Sequence, residues 1–85
     1  MQIIYSSKFE REYKKLTPEL KLIAKKKEKV FRKNPFQSSL ETHKLAGKLY
    51  PFWSFSISFS HRIIFEFMSE KLIYFHSVGS HDIYK

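Results

Sequence analysis

The sequence contains no cysteine, and only two of its 85 residues are glycine. Without cysteine there is no disulfide framework, no thiolate metal site and no thiol nucleophile. With so few glycines, a glycine-rich loop that cradles a nucleotide phosphate is nearly excluded. The sequence also lacks paired-carboxylate spacing, a Ser-His-Asp signature and a His-x-x-x-His pair. It therefore predicts no small-molecule cofactor and no metal site.

Long apolar runs are absent as well. No segment approaches the roughly 20 apolar residues that a membrane-spanning helix needs. Residues 1–5 lack the charged start and the cleavage site of a signal peptide. We therefore expect a cytoplasmic protein without a membrane partner.

Acidic residues are scarce: 8 Asp and Glu stand against 16 Lys and Arg, which gives a net charge of +8. An excess of this size speeds association with polyanions and is typical of nucleic-acid binders. It equally suits an acidic protein partner. A third interpretation is that the charge only keeps a small domain soluble.

The N-terminal half predicts a short strand followed by two helices. Residues 2–5 are apolar and β-prone. Ser7 and Glu10 have the spacing of a capping box, which starts a helix. Thr17-Pro18 starts a second helix, with Thr as N-cap and Pro in the first turn. Asn34-Pro35 ends it, because the residue before proline is disfavoured in helices.

Lys27 is the one polar interruption in the apolar stripe of the second helix. We expect its aliphatic stem to lie along apolar surface while the ammonium reaches water. The neighbouring run of lysines at 25–27 is either a solvated face that meets an acidic partner or a contact surface for RNA.

The C-terminal half changes to a period of two. The apolar residues Trp53, Phe55, Ile57 and Phe59 alternate with serines, which predicts a half-buried strand with one apolar and one hydroxyl-bearing face. Residues 62–68 and 71–78 predict two further strands, and Gly79-Ser80 is expected to end the last one. Residues 36–47 are polar and predict a loop, either irregular throughout or with a short turn of helix.

The predicted order is β-α-α-β-β-β, in the α+β class, with residues 1–85 forming a single domain. Three consecutive strands with short connections pair as an antiparallel meander. We expect two antiparallel N-terminal helices on one face of a small antiparallel sheet. The other face, with Ser54, Ser56 and Arg62, would stay open to a ligand.

Basic side chains are what remains for chemistry: His43, Lys44, Lys48, His61, Arg62, His76, His81 and Lys85. They suit metal-independent RNA cleavage, in which a 2′-OH attacks the adjacent phosphate and an acid protonates the leaving oxygen. Histidine suits both proton roles, and the planar fork of arginine grips two phosphate oxygens. Each histidine also has a non-catalytic interpretation, and for His76, inside a strand, a structural role is favoured.

Four segments together resemble the RelE/ParE superfamily of type II toxins, in the RelE/StbE family near the YafQ branch of mRNA interferases. They are residues 43–48 (HKLAGK), 52–55 (FWSF), 61–65 (HRIIF) and 78–82 (VGSHD). The resemblance covers the whole chain and implies a RelE-like fold. It also implies a ribosome-dependent, metal-independent mRNA endoribonuclease that inhibits translation and is neutralised by a cognate acidic antitoxin.

Matched residue by residue, the resemblance implies that His81 is the proton donor and that Arg62 binds the scissile phosphate. His43 matches a further histidine of the YafQ branch. His61, at the turn before Arg62, is an alternative route for proton transfer. These four residues are the candidate catalytic set.

The candidate RNA-binding set is Lys44, Lys48, Tyr84 and Lys85. The lysines would contact phosphates, and Tyr84 would stack on a base. The chain departs from the family at Ser56, where relatives have Arg or His, and in a C-terminal end that is one residue shorter before Tyr84.

Two other functions remain open. A ParE-like inhibitor of DNA gyrase would share the fold without RNA chemistry and would need no acid at the position of His81. A weakly active or decayed toxin, acting only as a basic binding module, would agree with Ser56 and the short C-terminal end.

Overall fold

A computed structural model describes residues 1–80. The elements in chain order are β1 (Gln2–Tyr5), α1 (Ser7–Lys14), α2 (Pro18–Lys33), β2 (His43–Lys44), β3 (Trp53–Ser56), β4 (His61–Phe67) and β5 (Leu72–Ser80). This confirms the α+β class and the predicted order, apart from the short strand β2 in the segment predicted as loop. Within residues 1–80, no helix is long and apolar enough to cross a membrane.

The five strands form one sheet in the order β1-β5-β4-β3-β2. The meander of β3, β4 and β5 is antiparallel, as predicted, but β1 pairs with β5 in parallel. The prediction of a purely antiparallel sheet is therefore wrong. The helices and three later strands lie between β1 and β5 in sequence, and a long connection of this kind is what parallel pairing requires.

The last strand is longer than predicted, because Gly79 and Ser80 belong to it. Gly79 pairs with Arg62, and Ser80 pairs with His61 at the start of β4. Pairing with a neighbouring strand therefore overrides the tendency of Gly-Ser to break a strand.

The N-cap of the first helix is Ser6. The prediction of a capping box that begins at Ser7 is therefore wrong. The Ser6 hydroxyl accepts a hydrogen bond from the Phe9 N–H at 2.9 Å and donates one to the His76 carbonyl at 2.8 Å. The second contact crosses 70 positions of sequence and favours Ser6 as the cap. The helix ends at Lys14. The Thr17 cap and the end of α2 before Asn34 are confirmed.

The hydrophobic core lies between the two helices and one face of the sheet. Phe31 of α2 is fully buried, and its ring centroid lies 4.7, 4.9 and 5.6 Å from those of Phe55, Phe65 and Phe75. Phe9 of α1 lies 5.5 Å from Phe75. Both helices therefore pack on the same face, as predicted.

The opposite face of the sheet is less open than predicted. Ser54 is 0% exposed and Ser56 is 7% exposed. The loop between β2 and β3 brings Phe52 to this side, where its ring centroid lies 4.5 Å from that of His76. A continuous hydroxyl-bearing surface along β3 is therefore not available to a ligand.

Candidate functional site

The turn between β3 and β4, residues 57–60, is held by Arg62. The Arg62 Nη1 donates hydrogen bonds to the carbonyl oxygens of Ser58, Phe59 and His61 at 2.9, 3.4 and 3.2 Å. The His61 carbonyl in turn accepts from the Ile57 N–H at 3.1 Å. We call residues 57–60 the β3–β4 turn. Its backbone position is fixed by a cationic side chain at one end of the sheet.

The predicted alternation of buried and exposed residues fails inside this turn. The strand ends at Ser56, and although Ile57 is still buried, Phe59 is 96% exposed. Period-two burial requires an extended chain, and the chain bends at residues 57–60. Phe59, expected in the core, therefore projects into solvent.

A groove of about 400 Å³ lies against the β3–β4 turn. Its charged lining residues within the described chain are Lys27, Glu41 and Arg62, and Ser56 and Ser58 are among those that add hydroxyl groups. We call it the Arg62 groove. Two cations with hydroxyl donors provide what a phosphate needs, namely positive charge and directional hydrogen-bond donors.

Lys27 belongs to this groove, although the sequence pattern indicates only that it lies in a lysine run that is either solvated or in contact with RNA. It interrupts the apolar stripe of α2, and it is only half-buried because its side chain reaches the groove beside the sheet. The sequence feature that could have pointed to Lys27 is this interruption of the apolar stripe by a charged residue. The aliphatic stem of Lys27 can lie on apolar surface, which explains how α2 tolerates a lysine in its apolar stripe. The Lys27 side chain lines the Arg62 groove.

His61 and Arg62 are neighbours in β4, but they point to opposite faces of the sheet, because successive strand residues alternate. The His61 Nδ1 is hydrogen-bonded to the Ser60 hydroxyl at 2.7 Å. His61 pairs with Ser80, the last described residue of β5. The candidate residues His81, Tyr84 and Lys85 lie outside the described residues.

His43 lies on the same face as Arg62 but is not close to it. His43 pairs with Ser54, and Arg62 pairs with Ser56. By ordinary sheet spacing, the Cα atoms of His43 and Arg62 are roughly 12 Å apart. The Nδ1 of His43 donates to the Glu41 carbonyl at 3.0 Å. The neutral ring therefore has Nε2 as its acceptor.

Lys44 and Lys48 are exposed on the segment around β2, and neither is among the residues that line the Arg62 groove. The Lys44 Nζ lies 5.0 Å from the ring centroid of Tyr50, in a cation–π contact. Lys48 lies in a single turn of 3₁₀ helix that begins at Gly47, whose φ is +64°. Lys44 follows the groove residue Glu41 by three positions in the sequence, and Lys48 follows it by seven.

His76 makes contacts typical of a histidine that stabilises the fold. Its Nε2 lies 3.0 Å from the Glu66 Oε1, and its ring lies 4.5 Å from both the Phe52 and Tyr74 rings. This agrees with the structural role favoured for His76. Within residues 1–80, no group of three His, Asp or Glu side chains is arranged to hold a metal ion.

Comparison with known proteins finds similarity in structure only. No family model matches the sequence, and a search of curated proteins finds no match. Among solved structures, YafQ from E. coli strain BL21(DE3) has a TM-score of 0.81 at 17% identity, over 98% of this chain and 96% of that chain. A YoeB/ParE toxin from Agrobacterium tumefaciens has a TM-score of 0.79 at 15% identity, over 95% and 99% of the two chains.

A third structure, the YoeB-YefM complex from Staphylococcus aureus, has a TM-score of 0.76 at 19% identity, over 95% of this chain and 97% of that chain. In each case nearly the whole of both chains is covered. The chain therefore has the fold of the RelE/ParE-type toxins, as the resemblance implied. At these identities the similarity shows the fold alone, because one fold can carry many activities.

Proposed function

We propose that this chain is the toxin of a type II toxin–antitoxin system and that it cleaves mRNA on the ribosome, without a metal, to inhibit translation. The observation that carries the proposal is the Arg62 groove, which brings Lys27 and Arg62 together. Arg62 is also paired with Gly79, close to the described end of β5. Arg62 thus lies beside the strand that leads in sequence to His81.

The proposed reaction needs three kinds of group. The RNA 2′-OH attacks the adjacent phosphorus, the P–O5′ bond breaks, and the 5′ oxygen takes up a proton. Arg62 and Lys27 stabilise the additional negative charge on the phosphate. His81 supplies the proton to the leaving oxygen. We assign acceptance of the 2′-OH proton to His61, whose strand partner Ser80 directly precedes His81 in sequence. Because His61 and Arg62 point to opposite faces of the sheet, this assignment puts the scissile phosphate at the end of β4, between the two side chains.

The candidate residues do not contribute equally to this proposal. His43 lies two strands away from Arg62, and Lys44 and Lys48 lie on the adjoining segment. We assign these three residues to binding the RNA chain on one side of the scissile phosphate, where it passes the segment around β2. Tyr84 and Lys85 keep the binding roles that the family resemblance gives them.

The proposed protein partner is an acidic antitoxin. The net charge of +8 favours an acidic ligand, and the related YoeB is solved in complex with YefM. We expect a neighbouring reading frame to encode a small acidic protein. Co-expression should relieve growth arrest, and the two proteins should purify together as a complex that high salt weakens.

The test is induced expression of four chains: the wild type, His81→Ala, Arg62→Lys and His76→Gln. Arg62→Lys keeps the charge and a donor for the turn carbonyls but loses the two-pronged grip on phosphate. We expect growth arrest from the wild type and from His76→Gln. Removing the proton donor should lower cleavage by about 10²- to 10⁴-fold, and both His81→Ala and Arg62→Lys should relieve arrest.

Mapping transcript 5′ ends after induction identifies the target. Cuts inside coding sequences, in the reading frame and absent when initiation is blocked, support cleavage on the ribosome. Undiminished arrest in both site variants at equal protein level would remove the residue assignments. Uncut transcripts with a DNA-damage response would favour gyrase inhibition, and no arrest from the wild type would favour a non-catalytic module.

A further inference from the structure

Phe59 is the most exposed large apolar side chain in the described part of the chain, with 96% of its surface accessible. It lies in the β3–β4 turn between Ser58 and Ser60, where a polar residue satisfies the turn equally well. An isolated exposed apolar residue is ordinary on a protein surface. The surroundings of Phe59 are what distinguish it.

The backbone that carries Phe59 is held in place. Arg62 donates to the Phe59 carbonyl and to the carbonyl of the preceding residue, Ser58, at 3.4 and 2.9 Å. The Ser58 N–H also donates to the His61 carbonyl, at 3.4 Å. The ring is therefore presented from an ordered turn, which lowers the entropy lost when a ligand binds it.

The surface next to Phe59 is polar and positively charged. Phe59 lines the Arg62 groove together with Lys27 and Arg62, and Glu41 is the acidic residue of that lining within residues 1–80. A pocket for an apolar protein segment would instead be surrounded by apolar side chains. An aromatic ring beside cations is the combination that binds single-stranded nucleic acids, whose bases stack and whose phosphates need counter-charge.

We propose that Phe59 is a base-stacking residue of the RNA site. Its ring packs on the face of a nucleobase in a single-stranded segment, and the phosphate of the same segment lies in the Arg62 groove against Arg62 and Lys27. This assignment rests on the proposed function, because it takes RNA as the ligand. In this assignment Phe59 helps to bind the RNA and to position its phosphate before any proton is transferred.

The experiment compares binding of two probes that this site cannot cleave. One is a fully 2′-O-methylated adenosine hexanucleotide, and the other is the same sugar-phosphate chain without bases. The proteins are the wild type, Phe59→Ala, Phe59→Trp, Arg62→Lys and the control Met68→Ala. Met68 is also exposed but follows β4 at its other end, away from the groove. Fluorescence anisotropy over a range of salt concentrations gives the dissociation constants.

We expect Phe59→Ala to weaken binding of the adenosine probe by roughly tenfold, which is the effect of losing one base–aromatic stack. Binding of the base-free probe should not change, and neither should the dependence of affinity on salt, which counts phosphate contacts. Phe59→Trp and Met68→Ala should bind both probes as the wild type does. Arg62→Lys should instead weaken binding of both probes.

Two results would overturn the assignment and can be told apart. If the wild type binds the adenosine probe and Phe59→Ala binds it equally well, Phe59 does not stack on a base, although RNA binding itself stands. If the wild type binds neither probe, the Arg62 groove is not a site for single-stranded RNA and the assignment fails, whereas the proposed function is decided separately by growth arrest and transcript mapping. Unchanged RNA affinity in Phe59→Ala together with lost antitoxin binding would identify Phe59 as a protein contact.

Discussion

The carboxylate of Glu12, in the last turn of α1, accepts a hydrogen bond from the hydroxyl of Ser77 at 2.7 Å. The same Glu12 oxygen accepts the Val78 N–H at 3.2 Å. β1 pairs with β5 only as far as Phe75, so within residues 1–80 no strand neighbours the edge of β5 beyond that point on this side. Glu12 and the Ser6 hydroxyl hydrogen-bond this edge in place of a strand, which also protects it from pairing with other chains.

Replacing Glu12 with Ala should lower the free energy of unfolding by about 1–3 kcal/mol, because the buried Ser77 hydroxyl and the Val78 N–H lose their acceptor. Glu12→Gln keeps a carbonyl oxygen and should cost less. Urea unfolding monitored by circular dichroism measures the difference. Glu70→Ala, at an exposed position, is the matched control and should change stability by less than about 0.5 kcal/mol. Equal stability of Glu12→Ala and Glu70→Ala would contradict the role of Glu12 at this edge.

Phe31→Ala should destabilise the protein by about 3–5 kcal/mol, because Phe31 is the ring that α2 inserts between three phenylalanines of the sheet. That is a large share of the roughly 5–15 kcal/mol available to a domain. Phe59→Ala removes an identical side chain from an exposed position and should leave stability almost unchanged. Thermal unfolding of the two variants tests both expectations. A similar loss in both would mean that Phe59 has packing contacts.

Tyr5 gives a pH dependence at the alkaline end. Burial raises the pKa of its phenol above the usual 10.0, and the hydrogen bond and negative charge of Glu28 raise it further, against a lowering by Arg32. The unfolded chain therefore loses this proton first, so ionisation favours unfolding. The contribution is fully present below pH 10 and is lost as the pH rises through the raised pKa.

The variant Tyr5→Phe isolates this effect. Below pH 10 it should be less stable than the wild type by about 1 kcal/mol, since the 2.8 Å hydrogen bond to Glu28 is lost. Above pH 10 the wild type should lose stability faster than Tyr5→Phe, so the difference should shrink. Unfolding curves between pH 8 and about pH 11 measure it. A constant difference across that range would contradict the raised pKa.

His76→Gln should separate stability from activity. The variant loses ring contacts with Phe52 and Tyr74 and weakens the hydrogen bond to Glu66, so we expect a stability loss of about 1 kcal/mol. Growth arrest should persist at equal protein level, in contrast to His81→Ala. Loss of arrest in a His76→Gln protein that still folds would transfer catalytic importance to His76.

Some of the fold follows from signals that span only a few residues. Thr17-Pro18 and Asn34-Pro35 set the ends of α2, and the change from a period near four to a period of two separates the helices from the meander. These signals are reliable because capping and proline geometry act on adjacent backbone groups. Less of the candidate site than of the fold could be predicted from the sequence. Residue type and the family resemblance indicate Arg62, whereas the strand pattern puts Phe59 in the core and the helix pattern leaves Lys27 on a face that is either solvated or in contact with RNA.

The sequence by itself therefore determined the element order, the basic charge and the absence of thiol chemistry. The tertiary structure decided the parallel pairing of β1 with β5, the choice of Ser6 as a cap, the burial of Ser54 and the exposure of Phe59. It also decided that His43 and Arg62 share a face yet lie two strands apart. The physical reason is that these features depend on contacts between residues far apart in the sequence. The hydrogen bond from Ser77 to Glu12, for example, joins positions 65 residues apart. Only the folded chain fixes which distant groups meet.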